Sequence, residues 1–361
     1  MADLYPMLIR PRYVERIWGG DGLAARLGKP APRDQTIGES WEIYDENTVA
    51  NGVYAGKTIG ELRGVMGKSL MGHVPTNHVF PLLTKLIDAR EALSVQVHPD
   101  DALAQRLERQ PNGKTECWYV IDAKPGAELT YGFSRDSSPD EYERLVKDGQ
   151  LDQTLRQLPV KAGDVVYIPA GTVHAIGAGI IVYELQQTSD VTYRIYDWNR
   201  KDAQGQPREL HVAKARQSLD YHQWTRGPIA PLPTPDNRTM IIAGPYFNEE
   251  IVDSAGVALS AYDSPVAVCA LEHSLSVSLA EGGDAIIVPP YASVLIPAAA
   301  GGYTIRPQLG DAGTAHALVS YVPASADATR ADLIERGVAA ADADAFLAQF
   351  ASARDLGQGV A

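Results

Sequence analysis

Short β-like runs, separated by turn-forming residues, dominate this chain and restrict its fold more than any other feature. The runs are bounded by Gly, Pro, Asn and Asp over most of the sequence. Helical patterns are concentrated in three places, residues 99–110, 138–158 and 329–353. Many short strands with few helices predict a mainly β fold, a barrel or a jelly-roll sandwich, with a small helical insertion and a helical C-terminal tail.

The three helical segments carry different signals. The first opens with Pro-Asp-Asp and places acidic residues in its first turn. In the second, Ser138 is a candidate N-cap and Pro139 occupies the first helical position. The third is rich in Ala, and the Asp-Ala-Asp-Ala sequence in its middle predicts a break.

A weak internal repeat suggests that the fold is built twice. Residues 163–169 and 283–289 each place a Gly-Asp turn before an apolar strand that ends at proline. The first copy continues to His174, whereas Val294 occupies that position after the second. This pattern predicts two related β-barrels, the second without a metal ligand at that place. Chance recurrence is the alternative, because Gly-Asp followed by apolar residues and proline is a common way to enter a strand.

Four prolines crowd together between residues 228 and 235 and predict a domain boundary near residues 225–240. We therefore expect a catalytic β domain, a second barrel and a helical tail. Their predicted extents are 1–225, with the helical insertion around 135–158, then 235–325 and 329–353.

Charge and composition exclude some classes of function. The 361 residues carry a formal net charge of -13, which argues against nucleic acid as a partner because phosphate backbones bind basic surfaces. A phosphorylated substrate would need a local group of Lys and Arg. No apolar run approaches the roughly 20 residues that cross a bilayer, and no secretory signal is evident. Two distant cysteines, Cys117 and Cys269, make a disulfide framework improbable, so we expect a cytoplasmic protein. We also expect a monomer or small homo-oligomer that acts on a small molecule.

Residues 93–101 alternate polar and apolar side chains, which is the period of a strand. Ser94, Gln96 and His98 then project from one face. Lys114, Glu116 and Trp118 share a face by the same argument. The row of Ser94, Gln96 and His98 could instead be the solvated outer face of a sheet.

The segment that ends at His174 has the spacing G-x5-P-x-G-x2-H, in which Gly and Pro make a tight turn before the next strand. Two imidazoles, a carboxylate and an amide oxygen, from His98, His174, Glu116 and Gln96, suit zinc with open positions. Manganese or iron could also bind such a set. Alternatively, His174 is a hydrogen-bonded core histidine and Glu116 a surface carboxylate.

A further segment, residues 181–199, resembles a hairpin that turns at residues 188–190. Such a hairpin would place Glu184 directly across from Arg194. The pair is either an ion pair that holds the hairpin together, or an anion-binding arginine beside a carboxylate that moves protons.

Together these segments resemble the type I mannose-6-phosphate isomerases, a zinc-dependent cupin family, and in particular its shorter bacterial members. The motifs that carry the resemblance extend from the N-terminal region to Asn199 and are Arg16–Gly20, Ile37–Glu42, Pro81–Asp88, Ser94–Asp101, Gly113–Glu116, Pro169–His174 and Tyr193–Arg194.

The resemblance implies two cupin barrels, the second degenerate, and one Zn²⁺ per chain. It implies that Gln96, His98, Glu116 and His174 are the metal ligands and that Arg194 is the essential arginine. Ser94, Lys85 and Lys114 match positions that line the substrate pocket around the phosphate. The three sets are thus the metal ligands, the arginine and the pocket residues.

The implied reaction interconverts mannose 6-phosphate and fructose 6-phosphate by proton transfer through a cis-enediol(ate). Arg194 would stabilise the developing oxyanion or hold the phosphate. Glu184, with a pKa raised by burial, is the first candidate for the base and Lys114 the second. The alternatives are another metal-dependent cupin enzyme, such as a different sugar-phosphate isomerase or a dioxygenase, and a non-catalytic carbohydrate-binding cupin.

Overall fold

A computed structural model describes residues 3–76, 79–201, 205–260, 262–308 and 313–351 of the chain. Within these residues the protein is mainly β, as the sequence predicts. The strands of the N-terminal part are β1 (Met7–Leu8), β2 (Arg12–Gly20), β3 (Ile37–Ile43), β4 (Leu82–Ala89), β5 (Val95–Val97), β6 (Glu116–Ala123), β7 (Glu128–Phe133), β8 (Leu155–Pro159), β9 (Val165–Ile168), β10 (His174–Ile176), β11 (Ile180–Gln187) and β12 (Tyr193–Tyr196). Those of the C-terminal part are β13 (Leu232–Thr234), β14 (Arg238–Ala243), β15 (Asn248–Ser254), β16 (Val257–Ser260), β17 (Val266–Ala270), β18 (Leu275–Leu279), β19 (Ile286–Val288), β20 (Ser293–Ile296), β21 (Gly302–Pro307) and β22 (Ala315–Tyr321).

The helices are short and lie between or after the strands. They are α1 (Gly22–Ala25), α2 (Ile59–Met66), α3 (Lys68–Met71), α4 (Asp101–Glu108), α5 (Pro139–Asp148), α6 (Val212–Ser218), α7 (Ala326–Glu335) and α8 (Ala340–Leu347). None of the helices in the described residues is long and apolar enough to cross a membrane.

The described strands assemble into four antiparallel sheets. Residues 12–196 form a six-stranded sheet in the order β2-β3-β4-β11-β6-β9 and a five-stranded sheet in the order β12-β5-β10-β7-β8. The C-terminal part forms a seven-stranded sheet, β1-β20-β17-β22-β15-β14-β13, and a four-stranded sheet, β16-β21-β18-β19. Strand β1 therefore pairs with a sheet that otherwise belongs to the C-terminal part.

The six-stranded sheet is buried on both faces. Tyr183 and Leu185 of β11 join an apolar cluster that includes Met240 and Leu318 of the seven-stranded sheet. Because successive side chains on a strand alternate between faces, Glu184 and Gln186 point the other way. This alternation directs a row of buried polar side chains away from the apolar contact between the two parts.

Helix ends follow local signals, with two corrections to the sequence prediction. Ser138 caps α5 by accepting a hydrogen bond from the Glu141 amide, and Pro139 is the first helical residue. The helix stops at Gly149, in the left-handed conformation, so the predicted helix over 138–158 is too long and its last residues form β8.

In the tail, the break falls at residues 336–339, where Gly337 has a positive φ. The Asp-Ala-Asp-Ala sequence lies inside α8, because Ala favours helix and Asp342 in the first turn complements the helix dipole.

The tail prediction extends to residue 353, and residues 352–353 lie outside the described part of the chain.

Both copies of the repeat form a strand, a turn and a second strand. Strand β9 leads to β10, which starts at His174, and β19 leads to β20, which contains Val294. Val294 is fully buried in an apolar cluster.

The predicted hairpin between Glu184 and Arg194 is wrong. Strand β11 is hydrogen-bonded on one side to β4 and on the other to β6, so it has no free edge for β12. Residues 188–192 instead cross to the five-stranded sheet, where β12 pairs with β5.

Candidate metal centre and active-site cleft

A cluster of three buried side chains lies between the six-stranded and five-stranded sheets. One potential ligand atom from each of His98, Glu116 and His174 lies within 4.8 Å of the others. The His174 Nε2 to Glu116 Oε1 distance is 3.3 Å, and the His98 Nε2 to Glu116 Oε2 distance is 3.6 Å. The three residues therefore meet at one point, although they come from separate segments of the chain.

Strand pairing explains how the cluster forms. In the five-stranded sheet, Gln96 of β5 is the direct partner of His174 at the start of β10. His98 follows β5 by one residue and, by the two-residue period, shares the side of Gln96. Glu116 enters from the opposite sheet as the first residue of β6.

The Gln96 amide completes the cluster. Its Nε2 lies 3.3 Å from His174 Nε2, and a half-turn of the amide would exchange this nitrogen for the oxygen. The four side chains predicted as metal ligands are thus brought together.

Both imidazoles are oriented by backbone carbonyls. His98 Nδ1 is 2.9 Å from the Val191 carbonyl oxygen, and His174 Nδ1 is 2.8 Å from that of Thr172. A ring nitrogen facing a carbonyl carries the proton, which leaves the Nε2 lone pair of each ring for a ligand. Hydrogen bonds of this kind commonly support metal-bound histidines.

Burial keeps both imidazoles neutral. It lowers the pKa of His174 to about 4, and burial together with the charge of Lys114 lowers the pKa of His98 well below its ordinary value. Burial also raises the pKa of Glu116, which Lys114 offsets only in part. Neutral imidazoles can bind a metal at pH 7 without first losing a proton.

The donor set fits a divalent metal ion. The Glu116 oxygens are fully buried and accept no hydrogen bond of good geometry, although Lys114 Nζ lies 2.5 Å from Oε2. Lys114 balances the charge at Oε2, whereas Oε1 faces His174 with neither a lysine nor a hydrogen bond among the described residues, and a buried oxygen of this kind is suited to a bound cation. The donors are nitrogen and oxygen without a thiolate, because Cys117 points away to Glu249.

A cleft of about 360 Å³ opens beside this cluster. It is lined by all the residues predicted to bind substrate and both candidate bases, together with one predicted ligand: Ser94, Lys85, Lys114, Arg194, Glu184 and Gln96. The cleft and the cluster therefore form one continuous region.

Two lysines in the cleft share buried carboxylates. Lys85 Nζ lies 3.1 Å from Glu184 Oε1 and donates to Gln186 Oε1 at 2.8 Å. Lys114 Nζ lies 3.8 Å from the same Glu184 oxygen, and Trp118 Nε1 donates to the other. Lys114 therefore connects Glu116 of the candidate metal centre to Glu184 of the cleft.

These contacts contradict the expectation that the pKa of Glu184 is raised. Burial acts to raise it, but Lys114, Lys85 and the Trp118 hydrogen bond outweigh burial and lower the pKa. For Lys114, burial acts to lower the pKa, but Glu116 and Glu184 raise it overall. At neutral pH Glu184 is thus a weakly basic carboxylate and Lys114 an ammonium.

Arg194 approaches the cleft from the five-stranded sheet, where it pairs with Gln96. Its Nη1 donates to the Glu209 carbonyl oxygen at 3.0 Å, and its buried Nε makes no hydrogen bond with any residue that the structure describes. Glu184 lies in the opposite sheet, so these residues share the cleft without being strand partners.

Four further charged residues line the cleft without having been predicted as site residues: Arg16, Glu39, Asp190 and Arg208. Arg16 and Glu39, which form an ion pair, lie in two of the motifs that carry the family resemblance. No pattern in the sequence distinguishes Asp190 or Arg208 from surface charges.

Comparison with known proteins agrees with this architecture. Residues 7–130 match the family model described as phosphomannose isomerase type I, catalytic domain. The mannose-6-phosphate isomerase of Streptococcus mutans is 38% identical over 296 residues, which are 79% of this chain and 92% of that protein. Mannose-6-phosphate isomerase ManA of Bacillus subtilis is 44% identical over 219 residues, 60% of this chain and 68% of that protein.

Solved structures give the same result. The crystal structure of the mannose 6-phosphate isomerase from Bacillus subtilis matches with a TM-score of 0.79 and 35% identity, over 88% of this chain and 99% of that one. A putative mannosephosphate isomerase from Archaeoglobus fulgidus, at 22% identity and a TM-score of 0.71, shares the fold. The chain belongs to the type I phosphomannose isomerase family.

Proposed function

We propose that this protein interconverts mannose 6-phosphate and fructose 6-phosphate. The observation that carries the proposal is the buried cluster of His98, Glu116 and His174 beside a cleft lined by lysine and arginine, in a chain of this family. The local cations are what a sugar phosphate needs in a protein of net negative charge.

The metal is proposed to be one zinc ion per chain, held by Gln96, His98, Glu116 and His174. Two neutral imidazoles, a carboxylate and an amide support zinc over calcium or magnesium, which favour oxygen ligands. Bound zinc would supply a Lewis acid that polarises the oxygens of the open sugar.

The lysines are proposed to stabilise negative charge on the substrate. Aldose–ketose isomerisation moves a proton between C1 and C2 through an enediol(ate), and charge develops on oxygen. Lys114, protonated and held between Glu116 and Glu184, is placed to donate a hydrogen bond to such an oxygen. Lys85 is fixed by Glu184 and Gln186 on the same wall.

Glu184 is proposed to position the two lysines rather than to act as the base. A carboxylate whose pKa is lowered by two ammonium groups is a poor proton acceptor near neutral pH. Its hydrogen bonds to Lys85 and Trp118 fix the side chain in the wall of the cleft.

The C-terminal pair of sheets is proposed to be a second, degenerate cupin barrel that supports the first by packing. The buried Val294 in place of a histidine supports this assignment. The apolar contact between the six-stranded and seven-stranded sheets supports a structural role for the second barrel.

A coupled assay of mannose 6-phosphate conversion tests the proposed function. The assay is run on the purified protein, after metal chelation and after addition of zinc. We expect activity to disappear on chelation and to return with zinc. Protein that binds zinc but does not isomerise mannose 6-phosphate would refute the substrate, and glucose 6-phosphate and unphosphorylated mannose serve as comparison substrates.

A further inference from the structure

Two arginines line the cleft near each other, and only one of them has a carboxylate partner. Arg194 and Arg208 both contribute to the wall of the cleft. The charge of Arg208 acts, after burial, to lower the pKa of Arg194, and two guanidinium groups interact in this way only when they are close.

Arg194 forms no ion pair with a carboxylate among the described residues. Its Nη1 donates to the Glu209 carbonyl, and its buried Nε has no hydrogen-bond partner in the described part of the chain. A half-buried guanidinium with unused donors is suited to an anionic ligand, since charge-assisted hydrogen bonds to oxyanions are strong.

Arg208 is held in place by Asp197. The Asp197 carboxylate is buried and accepts hydrogen bonds from Arg208 Nε at 2.6 Å and from Nη2 at 2.5 Å. This two-point contact fixes the plane of the guanidinium. Within the described residues, Arg208 Nη1 donates to no protein group.

Arg200 also bonds Asp197 but is used differently. Its three nitrogens donate to the Ala92 carbonyl, the Asp197 carbonyl and the Asp197 carboxylate. Arg200 does not line the cleft. Arg200 and Arg208 thus share the buried carboxylate of Asp197, whose charge also acts on Arg194 without contacting it. Three guanidinium groups around one buried carboxylate leave this end of the cleft positively charged.

We propose that Arg208 binds the substrate phosphate together with Arg194, and that Asp197 positions Arg208 for this contact. The proposal rests on the proposed function for the identity of the phosphate ester. It assigns Arg194 to the phosphate rather than to the oxyanion. Arg208 then determines the preference for phosphorylated over unphosphorylated sugar.

The test compares the zinc-loaded wild-type protein with Arg208→Gln and Arg208→Lys. The KM for mannose 6-phosphate and the inhibition constant of inorganic phosphate are both measured. For Arg208→Gln we expect both to rise by roughly 10- to 100-fold, with kcat changed by less than about threefold. Arg208→Lys keeps the charge but loses the two-point contact with Asp197, so we expect an intermediate effect.

Two control variants separate phosphate binding from loss of charge or loop structure. Arg144→Gln removes the same charge from the exposed face of α5, where Arg144 is 58% exposed. Arg200→Gln removes the other partner of Asp197. Phosphate affinity within about threefold of wild type in both controls is expected.

Calorimetric binding of inorganic phosphate to the zinc-loaded protein does not depend on turnover, so it is informative even if the proposed reaction is wrong. Unchanged phosphate affinity in Arg208→Gln would overturn the proposal. So would an equal loss in Arg200→Gln, which would mean that the cluster only holds the loop together.

Discussion

Gln96 lies directly opposite Arg194 on neighbouring antiparallel strands, and it lies directly opposite His174 on its other side. A candidate metal ligand is therefore the central member of a row that runs from the metal centre to the arginine. Since neighbouring strands are about 4.8 Å apart, Arg194 is separated from His174 by roughly two strand spacings. This distance leaves room for a sugar whose reacting carbons lie at the metal and whose phosphate lies at Arg194.

Replacing Arg194 should affect catalysis without affecting metal binding. We expect Arg194→Lys to lower kcat/KM for mannose 6-phosphate by about 100-fold, because lysine cannot make the same set of directed hydrogen bonds to the substrate phosphate. Zinc content, measured by elemental analysis, should stay at the wild-type value. A variant with full activity would remove Arg194 from the site.

Glu116→Gln should weaken metal binding by more than about 100-fold, because it replaces a buried anionic ligand with a neutral amide. The measurement is zinc affinity by competition with a chelator of known affinity. Glu249→Gln is the matched control, since Glu249 is equally buried but outside the cluster. Equal zinc affinity in both variants would contradict the assigned metal centre.

Glu184→Gln should lower activity by about 10- to 100-fold, because Lys85 and Lys114 lose a shared counterion. The pH profile distinguishes positioning from base catalysis. Because the pKa of Glu184 is lowered, it stays ionised above pH 5, and the acidic limb of kcat/KM should keep its midpoint in the variant. Disappearance of that limb would identify Glu184 as the titrating base.

Glu249→Gln should change how stability depends on pH. Burial raises the pKa of Glu249 from 4.5 to about 7, against the hydrogen bonds from Ser320 and Cys117. The folded state therefore binds the proton more tightly than the unfolded chain does. The contribution of Glu249 to the free energy of unfolding is complete below about pH 4.5 and is lost as the pH rises through about 7.

We thus expect Glu249→Gln to gain stability relative to wild type between pH 5 and pH 8, by up to about 3 kcal/mol. Urea unfolding of both proteins at the two pH values measures this difference. Glu272→Gln, at an exposed position, is the control and should show no such change. A constant difference between Glu249→Gln and wild type would mean that Glu249 ionises normally in the fold.

Local patterns in the sequence pointed to most of the side chains that meet in the candidate metal centre. The two-residue period placed Gln96 and His98 on one side of the chain, and Gly171 lies in the tight turn, with a positive φ, that leads to His174. The segment that contains Gln96 and His98 meets the segment that contains His174 through strand pairing, which depends on residues far apart in the sequence. The family resemblance supplied this information.

The predictions that failed depended on distant contacts. The Glu184 and Arg194 strands look like a hairpin locally, but the edges of β11 are occupied by β4 and β6. The pKa of Glu184 depends on Lys85 and Lys114, which reach it from other strands. Arg208 could not be found from the sequence. Its contact with Asp197, eleven residues earlier in the chain, holds it in the wall of the cleft, and no sequence pattern predicts that contact.

Zinc titration of the metal-free protein, followed by mannose 6-phosphate isomerase activity, tests the central claim most directly. We predict that activity rises linearly and reaches its plateau at one zinc per chain, and that Glu116→Gln shows no such rise at the same concentrations. Full activity in the metal-free protein, or a plateau at a different stoichiometry, would contradict a single catalytic zinc held by Gln96, His98, Glu116 and His174.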